Sequence, residues 1–315
     1  MIKVENLTKT FGPKVAVNNV SFTVERGEVL GFLGPNGAGK STTMRMVTGF
    51  LPPTAGRVTI GTHDMVDDPV PAKRLIGYLP ESAPCYSDMT VHGFLSFAAE
   101  IRGLRGDDIK KAVHRAVEMC FLENVLHQSV DTLSKGYRHR TCFAQSIIHD
   151  PEILVMDEPT DGLDPNQKHE IRQLIKRMGE KKAIIFSTHI LEEVDAACTR
   201  AIIIDLGKVV ANGTPQELKR KAPNAGAILL RVNGVAAEAV TGKLRSVDGT
   251  ERVQLVKDEH GTVTARVFPK SSSNGEFSKA VGAAAQGWRV EELHVEEGKL
   301  DEYFRSITAS DTAKK

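Results

Sequence analysis

Two kinds of apolar pattern run along this chain. Over residues 1 to 28 and 57 to 65, apolar and β-branched positions alternate with polar ones, broken by turns at Phe11-Gly12-Pro13 and Glu25-Arg26-Gly27. That period of two predicts an antiparallel β-subdomain. Val29 to Leu33, Ile153 to Met156 and Ala201 to Ile204 are instead unbroken apolar runs, the pattern of strands buried on both faces of a parallel sheet. Helical spacing appears over Ser41 to Val47, Val91 to Glu100, Asp107 to Met119 and from Ser134 to His149. In the second of these, Phe94, Leu95, Phe97, Ala98 and Ile101 are expected to form one buried face. Lys208 to Ala211 reads as a strand, a short helix starts at Pro215, and residues 219 to 226 read as a linker. Beyond it, Ile228–Val232, Ala236–Leu244, Arg252–Val256, Thr262–Phe268, Phe277–Ala285 and Trp288–Val295 give strand, helix, strand, strand, helix, strand, the order of a small ferredoxin-like module. A last helix over Lys299–Thr308 precedes a polar tail at 309 to 315, expected to be disordered.

The segment between the first buried strand and the first helix carries chemistry. Gly34, Pro35, Asn36, Gly37, Ala38, Gly39, Lys40, Ser41 and Thr42 fit G-x-x-x-x-G-K-[ST], a loop whose inward N–H groups cradle nucleotide phosphates. The three glycines are expected to supply backbone angles closed to other residues. The helix that follows adds the positive end of its dipole to the same anion. Lys40 would reach the β- and γ-phosphates, and the Ser41 hydroxyl would bind Mg²⁺. At the end of a second buried strand stand Asp157 and Glu158. Ligands of parallel sheets gather at the carboxyl ends of strands. Asp157 is therefore expected to face the Mg²⁺ through water, and Glu158 to polarise an attacking water.

Further motifs give the chain a resemblance to a known family. Thr132-Leu133-Ser134-Lys135-Gly136-Tyr137-Arg138 resembles the signature of ABC-transporter ATPases. Asp164, in Thr160-Asp161-Gly162-Leu163-Asp164-Pro165, falls in what looks like their D-loop, and His189 after Phe186-Ser187-Thr188 looks like their switch histidine. Glu81 sits where that family has its Q-loop, and Phe11 matches the aromatic that stacks on adenine. The resemblance covers roughly residues 1 to 220. It implies a P-loop NTPase fold of α/β class with a mainly parallel central sheet, the antiparallel β-subdomain, and a helical subdomain at about 85 to 150. The ATPase domain would be residues 1 to 221 and the α+β accessory domain 222 to 308. It also implies ATP and Mg²⁺ as cofactors, with Ser41, Glu81 and Asp157 toward the metal and Lys40, Glu158 and His189 at the reacting phosphate. Ser134 and the Gly136 N–H would complete the site of a second subunit, with Asp164 linking the two sites. Partners would be a second ATPase subunit, in a homodimer or a mixed pair, and a separate transmembrane permease. A groove for that permease is expected near Ala83, Pro84, Tyr86 and Met89. Glu81 stands where Gln is usual, and Lys135 and Tyr137 replace Gly and Gln; these departures resemble a bacterial exporter subgroup that serves drugs, antibiotics, gliding and copper-enzyme maturation.

Composition narrows the alternatives. Lys and Arg number 41 against 40 Asp and Glu, so nothing in the charge points to nucleic acid. No apolar run of about 18 residues is present, the length a membrane helix requires. Met1-Ile2-Lys3-Val4 has no signal-peptide character, so the expected location is the cytoplasmic face of the inner membrane, reached through the permease. Cys85, Cys120, Cys142 and Cys198 lack C-x-x-C spacing and read as reduced packing thiols. A soluble ABC ATPase acting on ribosome or DNA would carry a second cassette or long heptads, and neither is present. A non-hydrolysing regulatory cassette is disfavoured by Glu158, and a kinase or GTPase by Ser134, Gly136 and His189.

Overall fold

The computed structural model describes residues 1–82, 84–270 and 275–308; Ala83 and the tail at 309–315 lie outside them. The chain forms two compact units, one comprising Met1–Pro215 and the other Gln216–Ile307.

The first unit is built on a six-stranded sheet. Its order is Lys208–Gly213, Arg200–Asp205, Val29–Leu33, Ala183–Thr188, Ile153–Asp157, Ile76–Leu79, parallel throughout except for the first strand. Every residue of Val29–Leu33, Ile153–Asp157 and Ala183–Thr188 is buried, which is why these strands read as unbroken apolar runs. The register sets Leu33 beside Thr188 and Asp157 beside Ser187. The ends that carry the phosphate loop, the two acids and His189 therefore lie along one edge. A four-stranded antiparallel sheet of Lys14–Val24, Ile2–Phe11, Ala55–Ile60 and His63–Asp64 packs beside it. One core joins the inner faces of the two sheets, with Ile2, Leu7, Phe32, Met44, Ile60 and Ile185 wholly buried.

A second core lies under the helices. Val91–Ile101, Asp107–Cys120 and Lys135–Ile147 pack together around Leu95, Cys120 and Phe143. Thr90 caps the first of these, its hydroxyl accepting from Gly93 N at 3.0 Å. Phe94, Leu95 and Ala98 are buried as their spacing predicts, and Phe97 is half-buried. Ile101 is not buried: it is 67% exposed. It falls on the last turn, where the helix has run past the neighbour that covers its apolar stripe.

The second unit is an antiparallel sheet in the order Thr250–Glu259, Thr262–Pro269, Ile228–Asn233, Arg289–Val295, with helices Ala237–Arg245 and Glu276–Ala284. In chain order its strands lie 2-3-1-4, the ferredoxin-like arrangement. Ile228, Leu230, Val232, Val263, Ala265 and Val267 alternate inward to a core of its own.

Candidate nucleotide site

The phosphate loop leaves Leu33 and enters the helix Lys40–Val47, whose N-cap is Gly39. Gly37 (φ +77°) and Gly39 (φ +109°) occupy left-handed backbone, as expected of them. Gly34 is required for a different reason. Its φ is ordinary, but a Cβ there would lie 2.4 Å from the Ile204 carbonyl oxygen, so the loop could not approach the neighbouring strand.

Lys40 is nearly buried and its ammonium lies across the loop. Its Nζ donates to the carbonyls of Gly34 (2.8 Å) and Pro35 (3.3 Å), with Glu158 Oε1 at 3.8 Å. Burial pulls its pKa below the usual lysine value, while Glu158, Asp157 and Glu81 push the other way. The ammonium thus sits among three carboxylates in a partly dry site.

The acids are fixed from the adjacent strand. Asp157 Oδ1 accepts from Ser41 Oγ at 3.1 Å and also from Ser187 Oγ. Glu158 has φ +51°, left-handed backbone that costs a non-glycine residue about 1–2 kcal/mol. Its N–H is held there by Ser187, through the carbonyl at 3.2 Å and the hydroxyl at 3.1 Å. Its Oε2 lies 2.9 Å from His189 Nδ1. Burial raises the Glu158 pKa above the usual carboxylate range; the His189 hydrogen bond and the charges of His189 and Lys40 oppose that rise. A carboxylate with a raised pKa in a cleft is suited to accept a proton from water near neutral pH.

That electrostatic arrangement carries a sign. Were Glu158 the proton acceptor of a hydrolytic reaction, it would have to be ionised, and the activity would be expected to fall as pH drops through its raised pKa. His189→Ala removes the hydrogen bond that holds this pKa down. The acid limb of the residual kcat/KM profile is therefore expected to move to higher pH; an unmoved limb, or one displaced to lower pH, contradicts this assignment.

The cleft in front of these groups has a volume of about 530 Å³. It is lined by Phe11, Lys14 and Ala16 from the antiparallel sheet, Asn36, Gly37 and Gly39 to Thr42 of the loop, Glu81 and Glu158. Phe11 is 48% exposed at the end of its strand, with Lys9 Nζ over its ring at 5.4 Å from the centroid.

Ser134, Gly136 and Asp164 do not line this cleft. Ser134 and Asp164 are N-caps. The Ser134 hydroxyl accepts from Tyr137 N at 3.4 Å, and the Asp164 carboxylate from Gln167 N at 2.9 Å. The helices they begin are fastened together. Lys135 Nζ lies 3.0 Å from Asp161 Oδ2, Gln167 Oε1 abuts the backbone of Gly136, and Arg140, itself buried, reaches Glu170 at 2.7 Å. Signature and D-loop therefore form one piece, with an exposed N-terminal edge of Ser134 and Lys135.

Sequence reading missed several contributors. Glu193 is buried; its carboxylate accepts from Thr160 and, at 2.6 Å, from Thr188. It ties the turn after Glu158 to the strand before His189. Ser187 was read only as part of a run, yet it holds both Asp157 and Glu158. A hydroxyl pointing from a strand end toward two carboxylates carries no local sequence signal.

The profile of the ABC transporter family matches residues 17–161. The linearmycin resistance ATP-binding protein LnrL of Bacillus subtilis (strain 168) is 35% identical over 309 residues, 98% of each chain. The dimeric structure of MJ0796, a bacterial ABC transporter cassette, aligns with a TM-score of 0.64 at 26% identity, over 68% of this chain and 98% of that one. A dimeric post-hydrolysis state of the same cassette, bound to ADP and Pi, aligns with a TM-score of 0.63 over the same shares, also at 26% identity. This chain belongs to the ABC transporter family, among its ATP-binding, ATP-hydrolysing subunits.

Proposed function

We propose that the chain is the motor subunit of an exporter, pairing around two ATP at the cytoplasmic face of the inner membrane and driving a separate permease. The observation that supports this most is the incomplete cleft. The loop, Asp157, Glu158 and His189 converge on one edge, whereas Ser134, Gly136 and Asp164 do not line the cleft and belong to a fastened pair of helices of their own. A second subunit turned head to tail would bring Ser134 and the Gly136 N–H to the γ-phosphate. ATP bound between subunits then stabilises the pair, and its hydrolysis releases it.

Within each site Lys40 and the loop N–H groups would hold the β- and γ-phosphates. Phe11 would stack on the adenine. Glu158 would accept a proton from the attacking water while His189 fixes the carboxylate. Asp164 would link the two sites. The oxygen donors also fit Mg²⁺, which in nucleotide sites takes few protein ligands and keeps waters and phosphate oxygens. Ser41 Oγ would ligate it, with Asp157 and Glu81 acting through water. Bound there, the ion would supply charge neutralisation at the phosphates.

No helix among the described residues is long and apolar enough to cross a membrane, consistent with transport through another chain. Of the residues expected at the permease groove, Ala83 lies outside the described residues and Pro84, Tyr86 and Met89 line no part of the cavity of about 1220 Å³ rimmed by Phe50, Val70 and Ile101, which are 74%, 60% and 67% exposed, and we place the permease contact at that cavity instead. Lys73, Arg74 and Arg102 beside it suit an acidic or polar-capped helix. The name of the LnrL relative favours an antibiotic or other drug as cargo. We assign residues 1–221 to the motor and 222–308 to an accessory domain that stabilises the pair.

Mixing two inactive variants tests the shared site. Lys40→Ala and Ser134→Arg subunits are each expected to be inactive alone, because every site in either homodimer lacks one half. A mixed dimer holds one intact composite site, so an equal mixture is expected to recover up to about a quarter of parental hydrolysis by random pairing. A mixture as inactive as its components contradicts the shared site.

A further inference from the structure

The four cysteines divide into two kinds. Cys120 is wholly buried and Cys198 partly buried against the core, and burial raises both thiols far above their ordinary value. Cys85 and Cys142 are different. They stand far apart in sequence but meet in space, each thiol against the backbone that flanks the other. The flanking backbone closes the same approach from both sides. Cys85 Sγ lies 3.9 Å from the Arg138 carbonyl oxygen, and Cys142 Sγ lies 3.9 Å from the Pro84 carbonyl oxygen. Arg138 is one helical turn before Cys142, so the Cys85 thiol sits directly over that turn of the helix.

The two thiols are also unequal. Cys85 is half-buried in the segment that leads away from Glu81, within reach of a small solute. Cys142 lies behind it at 1% exposure, midway along the helix that Ser134 caps. The hydrogen bond from Cys142 and the charge of Arg138 hold the Cys85 thiol below its ordinary pKa, while the same contact and burial push Cys142 up. An accessible thiol beside a shielded one is the arrangement of an attacking and a resolving cysteine.

We propose that Cys85 and Cys142 form a redox modification site, at which a peroxide joins them in a disulfide that fastens the Glu81 segment to the signature helix. In the first step the Cys85 thiolate attacks one peroxide oxygen and the O–O bond breaks. That oxygen stays on sulfur with its hydrogen as a sulfenic acid, and the other leaves as hydroxide, which takes up one proton to become water. In the second step the Cys142 sulfur attacks the Cys85 sulfur. The S–S bond forms, the S–O bond breaks, and the hydroxyl leaves as water with the Cys142 proton. Two thiols lose two electrons in all, and one peroxide is reduced to two waters. A dithiol reductant reverses the reaction by exchange.

The functional consequence rests on the motor assignment made above. Glu81 lines the nucleotide cleft, and Ser134 begins the helix that bears Cys142. In the reduced protein the segment 84–89 is held to this region by sulfur contacts and by the Tyr86 ring, edge-on to Phe94 and Phe97 with centroids 6.2 and 5.6 Å apart. Those contacts can slide. A covalent bond cannot, so the Glu81 segment and the signature would no longer shift relative to each other as nucleotide binds and leaves. The oxidised motor is expected to turn over slowly.

Peptide mapping of the full chain, treated with hydrogen peroxide and digested under non-reducing conditions, reads the bond without reference to activity. The expected result is a linked pair of peptides containing Cys85 and Cys142, absent from Cys85→Ser and from Cys142→Ala. Two variants are needed because the buried Cys142 site is the more sensitive to substitution. ATP hydrolysis measured on the same samples is expected to fall by about tenfold or more, as for other motions that gate turnover, to recover with dithiothreitol, and to be unaffected by peroxide in Cys85→Ser. A native protein that yields no linked peptide overturns the site, and a linked protein that hydrolyses ATP at the reduced rate overturns the regulation. An untreated, fully reduced chain without hydrolysis indicts the motor assignment instead, and the peptide map still decides the thiol pair.

Discussion

Glu158→Gln is expected to lower ATP hydrolysis by about 10²- to 10⁴-fold, the usual contribution of a general base, while leaving nucleotide binding intact. Gln keeps the length and shape of the side chain and an oxygen for His189 Nδ1, now 2.9 Å from Oε2. What it loses is the ability to accept a proton from water. The Lys40 contacts with Gly34 and Pro35 and the Ser41–Asp157 hydrogen bond do not involve it. The variant should also be no less stable than the parent. Burial raises the folded-state pKa of Glu158, so its charge opposes folding once pH has risen through that pKa, and at neutral pH a neutral isostere removes the cost. Steady-state hydrolysis, nucleotide titration and thermal unfolding separate these effects. A Gln variant that hydrolyses at the parental rate removes Glu158 from the mechanism.

Lys40→Ala is expected to act earlier, on binding. The ammonium is the positive group that the loop presents to phosphate, and a charged hydrogen bond of this kind contributes about 1.5–3 kcal/mol, or roughly 10- to 100-fold in affinity. A second cost follows inside the site. Glu158 lies 3.8 Å from Nζ, and without the lysine its carboxylate and that of Asp157 lose a compensating charge. The Glu158 pKa, already raised by burial, should rise further, because the Lys40 charge is one of the influences that lower it. Equilibrium titration with a fluorescent ATP analogue measures the loss. Unchanged affinity would mean that the loop N–H groups alone carry the phosphates.

Much of the fold was legible because its buried strands are also its simplest sequences. Val29–Leu33 and Ile153–Asp157 run unbroken, and each stops where a residue with chemistry begins. The chain order of elements in the second unit followed from turn and period. What stayed hidden is long-range. Ile101 has the spacing of a core residue, but the spacing cannot say that the helix outruns its cover. Gly34 looked like its neighbours in the motif, yet its constraint comes from Ile204, a strand away. Ser187 and Glu193 act through the side chains they face. The pairing of Cys85 with Cys142 depends on where the loop after Glu81 crosses the signature helix, and neither segment records the other. The Lys135 and Asp161 pair shows the same limit: the departure from the common signature was visible, but its partner in the D-loop turn was not.

The central claim is that two copies of this chain share each ATP. Size-exclusion chromatography with light scattering on Glu158→Gln, with and without Mg-ATP, tests it most directly. The account predicts a monomer of 34.3 kDa without nucleotide and a species of twice that mass with Mg-ATP, because the variant binds ATP between subunits and cannot discharge it. A Glu158→Gln protein that binds Mg-ATP to saturation and still elutes at the monomer mass would contradict it.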